Sequence, residues 1–116
     1  MEERQNRGNN MRWWKHLYMG RKAAENRSRI LRGIREGKWM PDTYVITLPE
    51  SGNHIVDIRP VSLLTKAERE REDFLILGAA KGYGEACEVV RDMVDDMYRA
   101  TGAFDWIQYM ETLKEA

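Results

Sequence analysis

The residue types that most often carry catalysis are few in this sequence and stand apart from one another. His16, His54 and Cys87 are its two histidines and its single cysteine, and their spacing matches no metal-ligand or nucleophile–base pattern. Ser51, His54 and Asp57 lie in one predicted hairpin, but strand alternation sends His54 and Asp57 to opposite faces. We therefore predict no catalytic residue, no metal ligand and no cofactor, and a protein that is not an enzyme.

Phosphate binding is a second chemical possibility, because a glycine-rich segment precedes a predicted helix. Gly78, Gly82 and Gly84 lie close together there. However, Glu85 follows Gly84 where the P-loop has a Lys-Ser/Thr pair, and an acid in the first helical turn repels phosphate. We interpret the segment as a structural turn between a strand and a helix.

The strongest functional signal is the distribution of charge. The chain has 116 residues and a formal net charge of zero. Residues 1–38 contain 11 Lys and Arg against four Glu, a net +7, whereas residues 39–116 contain eight basic against 15 acidic residues, a net −7. Such a split is typical of a chain that binds a polyanion or an oppositely charged partner.

The basic half offers a candidate binding surface. Arginine pairs with phosphate and indole rings stack on bases, so basic residues interleaved with Trp13, Trp14 and Tyr18 suit nucleic acid. The alternative is a solvated helix face whose charge complements an acidic helix of the same chain or of a partner, with the tryptophans in the core. The candidate residues are Arg12, Lys15, Arg21, Lys22, Arg27, Arg29, Arg32, Arg35 and Lys38.

A candidate acidic face is predicted on the helix that follows the glycine-rich segment. It lies opposite the apolar stripe of that helix and is partly balanced by Arg91 and Arg99. It is either a solvated surface or a docking face for a basic partner, including a second copy of the chain. Its members are Glu85, Glu88, Asp92, Asp95 and Asp96.

The scaffold that positions these faces is expected to form around residues 74–98. The four apolar residues at 74–77 predict a strand that is central or covered on both faces, and Gly78 is predicted to end it. From Glu85 onward the apolar residues recur with a helical period. The residues that we expect to be buried are Ile76, Leu77, Val90, Met93 and Met97.

The remaining elements follow from local patterns. Residues 1–10 are predicted to be a disordered tail and residues 11–116 a single domain. The other elements are a short one of unassigned type at 11–19, a helix at 21–36, a hairpin with strands at 44–48 and 54–59, a short helix opened by a capping box at Thr65, and a last helix at 105–114. The order α-β-β-β-α-α predicts an α+β fold in which a three-stranded antiparallel sheet packs against helices.

The cellular compartment is predicted from what the sequence lacks. No apolar run approaches the length of a membrane span, and residues 1–10 have no apolar segment typical of a secretory signal. A single cysteine excludes an internal disulfide. We predict a cytoplasmic protein that does not associate with membranes.

Two resemblances extend this interpretation. The order α-β-β-β-α resembles the double-stranded RNA-binding domain, whose second helix opens with the motif KKxAK. Here residues 81–87 read Lys-Gly-Tyr-Gly-Glu-Ala-Cys, with one lysine, so the resemblance is topological and does not imply RNA binding through that surface.

The second resemblance covers roughly residues 17–109. The segments LYMG, YVITLP, LGAAKG, VDDMY and TGAF, which begin at residues 17, 44, 77, 94 and 101, are similar to those of small uncharacterised proteins carried by mobile elements of gut Firmicutes. This resemblance implies a cytoplasmic bacterial accessory protein and no catalytic residues.

Together these features predict a non-catalytic protein-interaction or accessory protein. We favour a homodimer in which the basic helix lies beside the acidic one, because the chain then supplies both surfaces. The alternative is a nucleic-acid-binding module that uses the basic N-terminal helix.

Overall fold

A four-stranded mixed sheet is the centre of the computed structural model, which describes residues 12–49 and 55–114. The strands lie in the order β1-β4-β2-β3, with β4 parallel to β1 and antiparallel to β2, and β3 antiparallel to β2. The predicted tail at 1–10, the hairpin turn at 50–53 and His54 lie outside the described residues. The strands are β1 (Arg12–Met19), β2 (Thr43–Thr47), β3 (Asp57–Pro60) and β4 (Leu75–Lys81).

Five α-helices surround the sheet in the described part of the chain, where glycines end the two longest. Gly37 ends α2 with φ of 74° and Gly102 ends α4 with φ of 72°. Glycine adopts this left-handed conformation without the steric cost that other residues incur. The helices are α1 (Arg21–Glu25), α2 (Arg27–Glu36), α3 (Lys66–Glu70), α4 (Tyr83–Thr101) and α5 (Trp106–Lys114).

The α+β class is confirmed, but the predicted three-stranded antiparallel sheet is wrong. Residues 12–19 form a fourth strand, and that strand is parallel to β4. Its pattern was misleading because Trp13 and Trp14 pack into cores on opposite faces, so both faces of the strand carry apolar residues. The side chains still alternate between the two cores, but apolar residues on both faces leave no apolar–polar alternation, which is the sequence pattern that identifies a half-buried strand. The observed order also departs from the one on which the resemblance to the RNA-binding domain rested.

The predicted helix at 21–36 is divided in two. Asn26, with φ of −128° and ψ of 41°, separates α1 from α2. The apolar residues of both helices face one core, with Ala23, Ile30 and Ile34 buried. A continuous apolar pattern therefore hid a local break in the backbone.

The strand β4 continues past Gly78 to Lys81, so the prediction that Gly78 ends it is wrong. Neighbouring atoms pack so closely against Gly78 that they leave no room for a side chain there. A Cβ atom there would lie 3.0 Å from the carbonyl oxygen of Tyr18 and 3.3 Å from Cδ1 of Ile46. The pairing with β2 shifts between Ile46 and Thr47, which marks a bulge beside this glycine.

As the apolar run predicted, β4 is central and covered on both faces. Ile76 and Ala79 belong to one buried cluster with residues of α1 and α2. Leu77 and Ala80 belong to a second cluster with residues of α4 and α5. The molecule therefore has a helical layer on each face of the sheet, and the basic helix α2 and the acidic helix α4 lie on opposite faces.

Four of the five predicted core residues have no exposed surface. They are Ile76, Leu77, Met93 and Met97. Val90 is instead half-buried, and the preceding Val89 takes the inward position. Adjacent valines lie about 100° apart around a helix, so both fit the edge of the apolar stripe and the sequence does not distinguish them.

Candidate nucleic-acid interface

All nine basic residues of the candidate surface are exposed. Between described residues, they form one ion pair within 4 Å, in which Lys38 Nζ lies 3.8 Å from Glu36 Oε1. The positive charge of these residues is thus largely uncompensated within the described part of the molecule. Because α2 and α4 cover opposite faces of the sheet, the acidic helix α4 of the same chain does not lie beside α2.

Three of these basic residues converge on one groove along α2 and the segment after it. Two adjoining depressions, with volumes of about 480 Å³ and 270 Å³, share Arg29, Gly33 and Lys38. We call this surface the basic groove and define it by its cationic and aromatic members. They are Arg29, Arg32, Lys38, Trp39 and Lys81.

The other basic residues lie elsewhere. Arg12 and Lys15 belong to the edge strand β1, and Arg35 lies over the ring of Trp13, with its Cζ atom 5.6 Å from the ring centroid. That geometry is a cation–π contact within the molecule. The remaining three are Arg21 and Lys22 in α1 and Arg27 at the start of α2.

Gly33 forms part of the floor of the groove. A Cβ atom at this position would lie 2.7 Å from Sδ of Met40, so the absence of a side chain lets Met40 fold back onto α2. Met40 packs against the buried cluster, whereas the preceding Trp39 is 81% exposed. Sequence reasoning missed Trp39, although a tryptophan between Lys38 and a Met-Pro pair at a helix end was a visible signal.

The aromatic residues that were considered for stacking on bases are instead part of the interior. Trp14 is 8% exposed and contacts Trp106 edge-on, with their ring centroids 5.3 Å apart. Trp13 and Tyr18 are half-buried. These residues fit the alternative interpretation, in which they form core, and leave Trp39 as the aromatic member of the groove.

The predicted acidic face divides into internal and exposed carboxylates. Glu85 is internal, because its carboxylate accepts backbone hydrogen bonds from Lys22 at 2.8 Å, Ala23 at 3.2 Å and Lys81 at 2.9 Å. Partial burial raises the pKa of Glu85, but these three hydrogen bonds together outweigh it and hold the pKa below its usual range. Glu85 is therefore not available as part of a docking face.

The position of Glu85 also bears on phosphate binding. The parallel neighbours β1 and β4 lead into α1 and α4 on opposite faces of the sheet, an arrangement that leaves a crevice at their carboxyl ends. Anionic ligands often bind in such a crevice, but here the Glu85 carboxylate takes the backbone N–H donors. This geometry agrees with the interpretation of the glycine-rich segment as a structural turn.

Asp96 is the second internal member of the predicted acidic face. The hydroxyl of Tyr18 donates a hydrogen bond to Asp96 Oδ2 at 2.5 Å and lies 3.5 Å from the hydroxyl of Tyr109. Burial, followed by the bond to Asp96, raises the pKa of Tyr18 far above its usual value, so its hydroxyl stays protonated. The exposed carboxylates of the face are Glu88, Asp92 and Asp95.

Replacing Tyr18 with phenylalanine should lower the free energy of unfolding by about 1–2 kcal/mol, because a charged hydrogen-bond acceptor in a half-buried site loses its donor. Urea denaturation monitored by circular dichroism measures this change. Tyr98→Phe is the matched control, since Tyr98 is 52% exposed. Equal midpoints for Tyr18→Phe and the wild type would show that the bond to Asp96 contributes nothing to stability.

The described residues offer little for other chemistry. They contain no group of three or more His, Cys, Asp or Glu that is placed to hold a metal ion. His16 and Cys87 are exposed and belong to different elements. None of the described helices has the length and apolar character needed to cross a membrane.

Comparison with known proteins adds no assignment, since no protein-family model, curated protein or solved structure matches the chain.

Proposed function

We propose that this protein binds nucleic acid through the basic groove. The observation that carries the proposal is the convergence of four cations, two of them without an ion pair among the described residues, beside an exposed tryptophan. Arg29 and Arg32 line the groove and have no ion pair with any described residue, and Trp39 is 81% exposed. Cations neutralise phosphates and release their counterions, which is the main source of affinity for nucleic acids.

The position of the opposite charge also supports this choice over a homodimer. The basic groove and the exposed carboxylates of α4 lie on opposite faces of the sheet. Contact between these two surfaces on different copies would be heterologous, and such contacts extend into chains or rings instead of closing a two-fold dimer. Salt-sensitive self-association therefore stays a prediction of the sequence that this geometry does not favour.

Protein interaction remains the second candidate function because of a specific surface near the end of α4. Asp92 and Asp95 are exposed there, and the rings of Tyr98 and Phe104 stack with centroids 5.0 Å apart while more than half exposed. Acidic groups beside exposed aromatic rings are complementary to a basic protein segment and repel nucleic acid. A cytoplasmic accessory role, as the second resemblance implies, is compatible with either candidate.

The proposal predicts a salt-dependent affinity that depends on two particular arginines. Wild-type protein should bind a fluorescent oligonucleotide, with the logarithm of the association constant falling linearly with the logarithm of salt concentration. Arg29→Ala/Arg32→Ala should weaken binding and reduce the slope by about 1.4 to 1.8, the contribution of two phosphate contacts. Fluorescence anisotropy at four or five salt concentrations measures both quantities.

A charge-matched control separates the groove from net charge. Arg91→Ala/Arg99→Ala removes the same number of positive charges, but from exposed positions on α4, across the sheet from the groove. We expect this variant to show the same dependence of the association constant on salt concentration as the wild type. Absence of binding by the wild type, or equal losses in the two double variants, would contradict the proposal, and a salt-sensitive oligomer without binding would favour protein interaction.

A further inference from the structure

We infer that the basic groove takes single-stranded nucleic acid and that Trp39 is the platform on which one base stacks. This inference rests on the proposed function and specifies its ligand. Trp39 has the largest exposed fraction, 81%, among the exposed large hydrophobic residues of the described chain. Its depression also contains Arg29, Lys38 and Lys81, so an aromatic surface and cations share one site.

Trp39 is presented by an anchored segment. On its N-terminal side, the Lys38 N–H donates to the Gly33 carbonyl at 2.9 Å. On its C-terminal side, the Thr43 N–H donates to the Met40 carbonyl at 3.2 Å, and the Gly82 N–H donates to the Asp42 carbonyl at 2.6 Å. With Met40 also packed against the core, the backbone on both sides of Trp39 is fixed, and such preorganisation lowers the entropy lost on binding.

The charges of the groove indicate where phosphates lie. Lys38 is near Glu36, and Lys81 Nζ lies 3.7 Å from Asp42 Oδ2, so each lysine shares its charge with a carboxylate. Arg29 and Arg32 have no such partner among the described residues and are three residues apart, so they are neighbours on the surface of α2. Phosphates should therefore contact the two arginines while the base lies over Trp39.

A single strand suits this arrangement better than a duplex. The bases of a duplex are stacked on one another, so their faces are not accessible to an indole ring, whereas an unpaired base can turn out onto it. The arginines could contact the phosphates of either form. Trp39 should therefore contribute to the binding of single strands alone, which gives the inference a signature that positive charge cannot produce.

Trp39→Ala should weaken the binding of a single-stranded oligonucleotide by about 5- to 150-fold, the effect of losing one stacked base. The salt slope should stay unchanged, because no cation is removed. Binding to the duplex of the same sequence, and to a single strand of abasic residues, should be the same for wild type and variant. Trp39→Phe should recover much of the lost affinity, and Phe104→Ala, which removes another exposed aromatic ring, should have no effect.

The possible outcomes separate this inference from the proposed function. One outcome is that the wild type binds single strands and duplex, that the salt dependence of binding requires Arg29 and Arg32, and that Trp39→Ala weakens binding to neither form. In that case the groove binds nucleic acid but the stacking inference is wrong. If Trp39→Ala weakens duplex, abasic and ordinary single strands equally, the inference is also wrong. If no form binds, both proposals fail. Parallel titrations with DNA and RNA of one sequence identify which of the two is preferred.

Discussion

Replacing Ile76 with alanine should lower the free energy of unfolding by about 2–5 kcal/mol, a large part of the stability of a domain of this size. Ile76 has no exposed surface and lies in β4, opposite Trp13 of β1 and Thr47 of β2. Its side chain belongs to the cluster beneath α1 and α2, so truncation leaves a cavity between the sheet and a helical layer. The free energy of unfolding is therefore lowered both by the loss of buried apolar surface and by the cavity that remains.

The measurement is urea denaturation of the wild type and Ile76→Ala under identical conditions. Ile107→Ala is the control, because it removes the same atoms from a residue of α5 that is 53% exposed. We expect Ile107→Ala to change the free energy of unfolding by less than about 1 kcal/mol. Superimposable curves for Ile76→Ala and the wild type would show that β4 is not the central strand.

The sequence was informative where one local pattern determines one element. The apolar run at 74–77 predicted a strand covered on both faces, and the end predicted for the helix at 21–36 coincides with that of α2 at Glu36. The predicted capping box at Thr65 is present, with the Glu68 N–H donating to Thr65 Oγ1 at 3.1 Å. Each of these features depends on residues within one turn or one strand, where propensity and periodicity act directly.

The sequence was misleading where an element depends on distant residues. β1 is a strand because it pairs with β4, 60 or more residues away, and its two adjacent tryptophans face different cores. Glu85 fits the acidic stripe by helical period, but its hydrogen-bond donors include Lys22 and Ala23. No pattern within a short window reports such contacts, so strand pairing and the loss of Glu85 from the acidic face could not be predicted.

The candidate site was predicted in part, for a related reason. The basic residues of α2 were identified by charge alone, and their exposure follows from the apolar stripe on the opposite side of the helix. Trp39 and Lys81 were not grouped with them, because a hydrogen bond between Gly82 and Asp42 brings the end of β4 beside the segment after α2. The groove is thus a tertiary feature built on a charge pattern that was visible beforehand.

Replacing Glu85 with alanine should lower the free energy of unfolding by about 2–3 kcal/mol at neutral pH, because three backbone N–H groups lose one charged acceptor. We call Glu85 and these donors the Glu85 latch. It joins the start of α4 to the start of α1, two elements on opposite faces of the sheet. Glu88→Ala, in the exposed part of the same helix, should change the free energy of unfolding by less than about 0.5 kcal/mol.

The latch also predicts a direction of pH dependence. The pKa of Glu85 is lower in the folded protein than its ordinary value, so folding favours the ionised form. Its contribution is fully present above the unfolded-state pKa and is lost as the pH falls through the lower, folded-state value. The difference in stability between wild type and Glu85→Gln should therefore shrink in acid. A difference that stays constant from pH 7 to pH 3 would show that ionisation of Glu85 is unimportant.

Gly20 provides the sharpest test of the latch. Its φ of −65° and ψ of 161° suit any residue, so alanine is compatible with the backbone there. A Cβ atom at Gly20 would nevertheless overlap the Glu85 carboxylate, so Gly20→Ala should destabilise the wild type by about 1–3 kcal/mol. In the Glu85→Ala background the obstacle is gone, and the same substitution should be neutral or stabilise by up to about 1 kcal/mol.

The four proteins of this double-mutant cycle, compared by urea denaturation, should give a coupling energy of about 1–3 kcal/mol between Gly20 and Glu85. Additive effects would mean that Gly20→Ala acts through the backbone or the unfolded chain and not through the carboxylate. A coupling of the expected sign would show that the crevice between β1 and β4 is occupied by Glu85 in solution. Polyanion binding would then have to occur elsewhere, which is consistent with the groove proposed on α2.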